Sequence, residues 1–408
     1  MRQMEGAFEM SKTENLILLL TSRALFNASV DFNPATVDWA NLYKEASSQA
    51  LTILIWDTLT DEERASVPEN IAAIWEQDAM IHVLRNEQLL YEQAEVMKLL
   101  DDADIPAVIM KGSSSAVHYP DPALRVMGDI DLLVPPEQQK NAVELLQANG
   151  YGEANGEDFS THISVSKDKI TVEVHKEPGG LGINKNKTIK KKLEEFFSDA
   201  LEKRQRIGGL PFLSDKHQAL VLILHKLKHF LHNELGLRQL FDWAMFVDKK
   251  LDDKLWEELR PSLEEFGLLT FTGIITRACV NNFGLPKEKA PWVEDFDKEL
   301  ADEVMDQILA SGNFGKKAGT YGILYFTDVN SSNRLTSFVR TVFDRCKYHW
   351  PVCKKYPVLM PIAPFVAYAK YLKLRKEGKR AEIKPVSLYR KAGAKQKLYK
   401  ELKPFVVE

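Results

Sequence analysis

Two aspartates one residue apart, Asp129 and Asp131, stand in the run Asp129-Ile-Asp-Leu-Leu-Val134. The alternation predicts a strand with both carboxylates on one face and Ile130 and Leu132 on the other. Carboxylates so placed reach one or two divalent cations. Hard oxygen donors suit Mg²⁺ (or Mn²⁺), which typically keeps waters and substrate phosphates in its remaining positions. Upstream, the apolar run Ala107–Met110 stops at Lys111-Gly112-Ser113. A glycine there lets backbone N–H groups approach a phosphate with no Cβ in the way. Downstream, Glu173 lies between Val172 and Val174, the pattern of a buried strand that turns one acid inward. As a third acid it would complete a metal site or take the proton of an attacking hydroxyl. Glu177 competes with it for that place. The competing reading of the whole is a surface strand with two solvated aspartates. Neither a Walker-type phosphate loop nor a Gly-x-Gly-x-x-Gly turn occurs in the chain.

The elements that must hold these residues follow from pattern. Ser11-Lys-Thr-Glu14 and Thr60-Asp-Glu-Glu63 read as capping boxes opening helices. Glu69 to Leu100 carries no glycine or proline and is predicted as one long helix. Ala107–Met110 reads as a buried strand ending in a tight turn, and Ser113–His118 as the start of a helix. Pro135-Pro136 ends the aspartate strand, a helix runs to Ala148, and Asn149-Gly150 closes it. His162–Val165 and Ile170–His175 flank Ser166-Lys-Asp-Lys169, which reads as a four-residue hairpin turn. From Ser214 the pattern is helical again, through Leu220–Phe246 and on to a helix near Phe365–Lys376.

The stretch Met110-Lys-Gly-Ser-Ser, with Tyr119-Pro-Asp-Pro-Ala-Leu-Arg-Val-Met-Gly-Asp-Ile-Asp-Leu-Leu-Val134, resembles the signature of the uncharacterised bacterial nucleotidyltransferases. These form a branch of the DNA polymerase beta-like superfamily. Lys111-Gly112-Ser113, Arg125 and Gly128-Asp-Ile-Asp131 follow that pattern, and Glu173 in Val172-Glu-Val-His-Lys176 is similar to its third-acid strand. His225, His229, Arg238 and Asp242 look like its helical part. The resemblance implies an α+β nucleotidyltransferase-fold mixed-sheet core flanked by N-terminal and C-terminal helical regions. The expected division is a helical region over 1–104, the catalytic core over 105–212, a helical domain over 213–369 and a basic tail over 370–408. The implied reaction moves a nucleoside monophosphate from an NTP to a hydroxyl or phosphate of an acceptor and releases pyrophosphate. A small molecule, sugar or natural-product intermediate is favoured as acceptor because the core is not basic. A protein hydroxyl is the runner-up, and a non-catalytic nucleotide-binding or assembly protein on the same fold is the rival. Convergence of Asp129, Asp131 and Glu173 on one metal pair decides between enzyme and binding protein.

Lys111 and Arg125 are candidate phosphate contacts; for Arg125 that reading leads, while Lys111 reads equally as a partly exposed charge. His225, His229 and His232 share a helix side. Lys226 and Lys228 oppose a zinc ion there, so the favoured role is a helix lending His229 or a lysine to the triphosphate, beside a structural alternative. Arg238 and Asp242 read as an i,i+4 ion pair. Cys346-x-x-His349-x-x-x-Cys353 offers too few ligands for a zinc site.

The chain has 408 residues with 54 basic and 58 acidic side chains, a balance that argues against a nucleic-acid coat protein. That balance hides a tail with twelve basic and two acidic residues between Lys370 and Lys400. The tail reads first as a solvated face, then as an anionic docking surface or a membrane-surface contact beside the apolar Pro357–Ala369 stretch. Three cysteines argue for a reducing compartment. With no basic signal-peptide region and no transmembrane segment, the expected localisation is cytoplasmic.

Overall fold

The structure is a computed structural model describing residues 11–152, 162–179, 181, 186–315, 343, 352–376 and 385–407. It is mixed helix and sheet, of the α+β class. Helices α1 (Lys12–Phe26), α2 (Trp39–Gln49), α3 (Thr52–Thr58) and α4 (Asp61–Ala65) lead into α5 (Glu69–Asp102). Both expected capping boxes form: the Ser11 and Thr60 hydroxyls accept from the N–H groups of Glu14 and Glu63, whose carboxylates reach back.

The sheet holds β1 (Val108–Ile109), β2 (Ile130–Leu133), β3 (His162–Lys167), β4 (Ile170–His175), β5 (Gln205–Ile207) and β6 (Leu210–Phe212), in the order β3-β4-β2-β1-β6-β5. Short α6 (Ser113–Ala116) follows β1, α7 (Gln139–Ala148) follows β2, and α8 (Lys187–Phe196) follows β4. β2 runs parallel to β4 and antiparallel to β1, so the two acid-bearing strands are neighbours. The register puts Asp131 opposite Glu173 and Leu133 opposite His175.

Side-chain alternation gives the sheet two different faces. Ile130, Leu132, Val172 and Val174 pack with Leu89, Val96 and Leu100 of α5 and with Ala142, Val143 and Leu146 of α7. The opposite face carries the acids and turns Val108, Met110 and Leu133 toward α9 (Asp215–His232). That helix is buried on nearly every side, with Leu220, Ile223, Leu224 and Leu227 fully covered and Lys226 and His229 buried beside them. It is followed by α10 (Leu237–Lys249), α11 (Asp253–Glu265), α12 (Leu269–Phe283) and α13 (Lys298–Ser311). Residues of α1–α3 and of α9–α13 share one core, so the helical regions before and after the sheet are one packed body.

Three local expectations change. The β3–β4 hairpin closes with two residues, Asp168 and Lys169, both at positive φ (49° and 69°), while Ser166 and Lys167 pair within the strand. Two consecutive left-handed residues match the twist of the flanking strands, which is why so tight a turn is favoured. The helical run through Leu220–Phe246 is broken at Asn233, a left-handed cap between α9 and α10. The basic tail, expected first as a solvated face, includes the helix Pro385–Leu402, whose Lys395, Leu398, Tyr399 and Leu402 are buried. Tyr399 Oη donates to Leu231 O at 2.7 Å, and Lys395 Nζ to Phe230 O at 3.2 Å. The helix expected near Phe365–Lys376 spans Ala363–Lys376, and the Pro385–Leu402 helix was not foreseen. Cys346 and His349 lie outside the described residues, and Cys353 is buried.

Candidate active site

The site begins where β1 meets β2. The N–H of Met110 donates to Asp131 O at 3.1 Å, carrying the pairing one residue past β1 and delivering Lys111 beside Asp131. The chain then turns at Gly112, with φ 66° and ψ −107°, a conformation open to glycine alone. A Cβ on Gly112 would stand 3.4 Å from the carbonyl oxygen of Asp129, so this turn lies against the backbone that leads into β2. The Ser113 hydroxyl donates to Gln93 Oε1 on α5 at 2.7 Å, and that of Ser114 to Met110 O at 2.8 Å. Both hydroxyls brace the turn. What Ser113 offers a phosphate is its backbone N–H, at a helix start where no intrahelical acceptor exists.

Asp129, Asp131 and Glu173 each bring a carboxylate oxygen within 4.8 Å of the other two. The convergence expected of an active site is therefore present. Lys111 Nζ sits 2.7 Å from Asp131 Oδ1, and His175 Nε2 lies 2.9 Å from the same oxygen and 3.2 Å from Glu173 Oε2. His162, opposite His175 on β3, places its Nε2 3.7 Å from Glu173 Oε1.

The charges decide how each group titrates. Burial opposes ionisation of Asp131, but the Lys111 ammonium and the His175 hydrogen bond outweigh it and hold the carboxyl well below its usual range. Asp129 receives no such pairing. Repulsion from Asp131, then burial, pushes it up to about 6 against the pull of Lys111. Burial works against the Lys111 charge, yet Asp131 and Asp129 raise its pKa. His175 is likewise raised by its bonds to Asp131 and Glu173 in spite of burial. Three acids thus share the Lys111 ammonium and the His175 and His162 imidazoles, with Arg238 acting from further off, and Asp129 is still pushed up by its neighbour. Oxygen donors in acid excess fit a divalent cation, which needs one or two carboxylates and keeps other positions for phosphate and water.

A family model described as an uncharacterised nucleotidyltransferase matches residues 35–284, more than half the chain. The chain belongs to the uncharacterised nucleotidyltransferase family. No curated protein matches it. The match takes in every candidate site residue, from the Lys111 turn to Asp242, and ends at the foot of α12. Such proteins act on nucleoside triphosphates and typically use divalent metals, which agrees with the acid cluster.

Not every expected residue joins that cluster. Arg125 follows a 3₁₀ turn, Pro122–Leu124, and is buried. Its Nε and Nη2 meet the two Asp242 oxygens on α10 at 2.8 and 2.7 Å, while Tyr119 Oη donates to the same carboxylate at 3.0 Å. The expected phosphate contact by Arg125 is corrected to a bidentate brace. Moving this guanidinium to a phosphate would strand Asp242 as a buried unpaired charge, which costs about 3–5 kcal/mol. The expected Arg238–Asp242 ion pair is corrected with it. Arg238 instead donates to Val126 O at 2.8 Å, its Nε has no partner, and its charge reaches Asp129. Arg238 is the cation that reading in i,i+4 pairs missed, since its charge acts on Asp129.

His229 stands one layer back. Its Nδ1 is 3.2 Å from Glu234 Oε2, and its Nε2 is 3.0 Å from His225 Nε2. Burial first, then the Lys111 charge, lowers His225 well below its usual pKa, and burial also lowers His229 despite its bond to Glu234. His232 turns away and bonds Lys228 O at 2.7 Å. His175 was also missed, although the two-residue spacing that aligned Asp129 with Asp131 aligns it with Glu173.

Proposed function

We propose that this nucleotidyltransferase uses Mg²⁺ or Mn²⁺ to move a nucleoside monophosphate from an NTP to a hydroxyl or phosphate of a small acceptor molecule. The carrying observation is the convergence of Asp129, Asp131 and Glu173 with Asp129 held near neutrality by its neighbour. Asp129 and Asp131 hold the metal, and Glu173 completes the set. When bound, the divalent cation neutralises charge on the α-phosphate and on the departing pyrophosphate.

The protein's own groups do the rest. The Gly112-Ser113 turn offers backbone N–H groups to the triphosphate. Lys111, freed of part of its charge pairing when a cation takes the carboxylates, and Arg238, with its unpartnered Nε, supply positive charge around it. The acceptor oxygen attacks the α-phosphorus, its proton passes to Glu173, and the bond from the α-phosphorus to the bridging oxygen breaks, releasing pyrophosphate. Pre-positioned charge of this kind is commonly the largest contribution to such transfers. Arg125 holds the loop before β2 against α10, and His229 orients His225.

Purified full-length chain incubated with each of the four NTPs and Mg²⁺ or Mn²⁺ should show a thermal shift with at least one. Pyrophosphate should appear once an extract of small metabolites supplies the acceptor, and mass spectrometry should find the acceptor heavier by one nucleoside monophosphate. Absence of any NTP-dependent shift with both metals would end this reading. Labelled nucleotide on a protein and on no small molecule would replace the acceptor class.

A further inference from the structure

Beside the three acids lies a second set of donors with different chemistry: His162, Glu173 and His175. One nitrogen or oxygen from each lies within 4.8 Å of the others. The strand pairing creates this set. His162 and His175 are direct partners across the β3–β4 hairpin, their rings 4.9 Å apart and inclined by 31°. Glu173 is two residues before His175 and so shares its face. Its two oxygens divide between the histidines, Oε1 at 3.7 Å from His162 Nε2 and Oε2 at 3.2 Å from His175 Nε2.

A second, independent observation concerns the His175 ring. Nε2 is engaged with the Asp131 and Glu173 carboxylates, while Nδ1 is buried and has no hydrogen-bond partner among the described residues. Nε2, the nitrogen that faces Glu173, is therefore the one that an ion held with Glu173 would take.

We propose that His162, Glu173 and His175 form a second cation position that takes a borderline transition ion of the Zn²⁺ class, distinct from the all-oxygen position of Asp129 and Asp131. Imidazole nitrogens favour such ions over Mg²⁺, which prefers oxygen. Two histidines and one glutamate give three protein ligands, a set that leaves a position open to water or a substrate oxygen. A tetrahedral ion with bonds of about 2.0–2.1 Å sets its ligands roughly 3.3 Å apart. Closure on the ion therefore needs only modest side-chain rotation, and His162 and Glu173 are both partly exposed. Glu173 belongs to both positions, so the second cation would lie beside the first. The proposal adds to the site described above and shares Glu173 with it, yet it is tested without nucleotide and so fails or stands separately.

The test uses metal-free full-length protein and Co²⁺ alone, a spectroscopic substitute for Zn²⁺, with Zn²⁺ competition followed by calorimetry. The expected result is one tightly held equivalent of Co²⁺ with the intense visible bands of a low-coordinate nitrogen-containing site, displaced by Zn²⁺. His162→Ala, a change at a partly exposed strand residue, should weaken that binding by more than the roughly 10–100-fold that an outer-sphere partner costs. Asp129→Asn should leave the spectrum in place. Unfolding curves of the metal-free variants confirm that both are folded. No tight Co²⁺ binding by the wild type, or binding that survives His162→Ala, overturns the proposal. A signal lost in Asp129→Asn but kept in His162→Ala would move the ion to the carboxylate position and equally overturn it.

Discussion

Two buried charge clusters lie on either side of the loop that leads into β2, built from the same kinds of side chain. Around Asp242, one carboxylate takes a bidentate guanidinium and a phenol, and every Asp242 oxygen is spoken for. Around Asp131, three carboxylates share Lys111 and His175, and Asp129 is left protonating at about 6. The first cluster is closed and ties a loop to a helix. The second is open, leaves Asp129 without a direct cation partner among the described residues, and sits beside the Gly112 turn proposed above to take phosphate. Imbalance, more than burial or charge, separates the two: perturbed acids with an unmet demand for charge mark a functional site, whereas an equally buried matched pair does not.

The strongest way to break this contrast is to remove Asp131. Asp131→Asn should abolish transfer, since losing one charge-stabilising group typically costs about 10²–10³ in turnover and a lost metal ligand adds to it. It should also weaken the metal-free fold, because Lys111 and His175 lose their shared partner. Single-turnover assays and denaturant unfolding check both, and near wild-type turnover would dismantle the assignment of Asp131 to the metal.

Glu173→Gln comes next. A general base alone contributes about 10²- to 10⁴-fold, so turnover should fall in that range while NTP affinity in a thermal-shift titration changes less. Glu177→Gln, in the loop beyond β4, is the matched control and should be nearly silent. A dead Glu177 variant with an active Glu173 variant would mean the wrong acid had been chosen.

The closed cluster should fail differently. Asp242→Asn leaves Arg125 without its buried carboxylate, and such a break costs about 3–5 kcal/mol. Chemical unfolding should show that loss, while the affinity of the folded protein for Mn²⁺ stays near wild type. A stable Asp242→Asn variant with weakened Mn²⁺ binding would show that this cluster belongs to the open one.

Why the open cluster was legible and the closed one was not has a physical basis. Asp129, Asp131 and Glu173 are arranged by strand alternation, a period of two that is visible in any short window. His175 obeyed the same rule and was passed over as a site residue. Arg125 meets Asp242 across 117 residues, and only packing of the Tyr119–Val126 loop on α10 brings them together. A local reading of charges finds i,i+4 partners and therefore gave Asp242 to Arg238. The helices and caps were legible because their signals are local too: Ser11 with Glu14, Thr60 with Glu63, and the unbroken run of α5. β5 and β6, three residues each around Gly208-Gly209, carry too little alternation to announce themselves.

The smallest effect belongs to Asp129 and sharpens the comparison most, because it separates the two aspartates of one strand. Its folded pKa of about 6 exceeds the ordinary 3.8, so the folded protein holds this proton more tightly than the unfolded chain does. Below about pH 4 both states are protonated and the group contributes nothing. As pH rises from there through about 6 the unfolded chain ionises first, and stability falls by linkage. Above that window the loss is complete and constant. Asp129→Asn removes the ionisation, so the metal-free variant should match wild type near pH 4 and become the more stable protein by pH 7–8. A relief of about 1 kcal/mol raises Tm by roughly 2–4 °C in a domain of about 150–250 residues. Saturating Mg²⁺ should shrink or reverse the gap, since the cation offsets the same repulsion in the wild type and binds the variant poorly. Asp131, whose pKa is lowered rather than raised, should show the opposite sign: its stabilisation is present at neutral pH and lost on acidification. Thermal unfolding from pH 4 to pH 8, with and without Mg²⁺, measures all three signs. If Asp129→Asn proved less stable than wild type at pH 8 without metal, or if the gap did not change with pH, the acid excess on which the contrast rests would be gone.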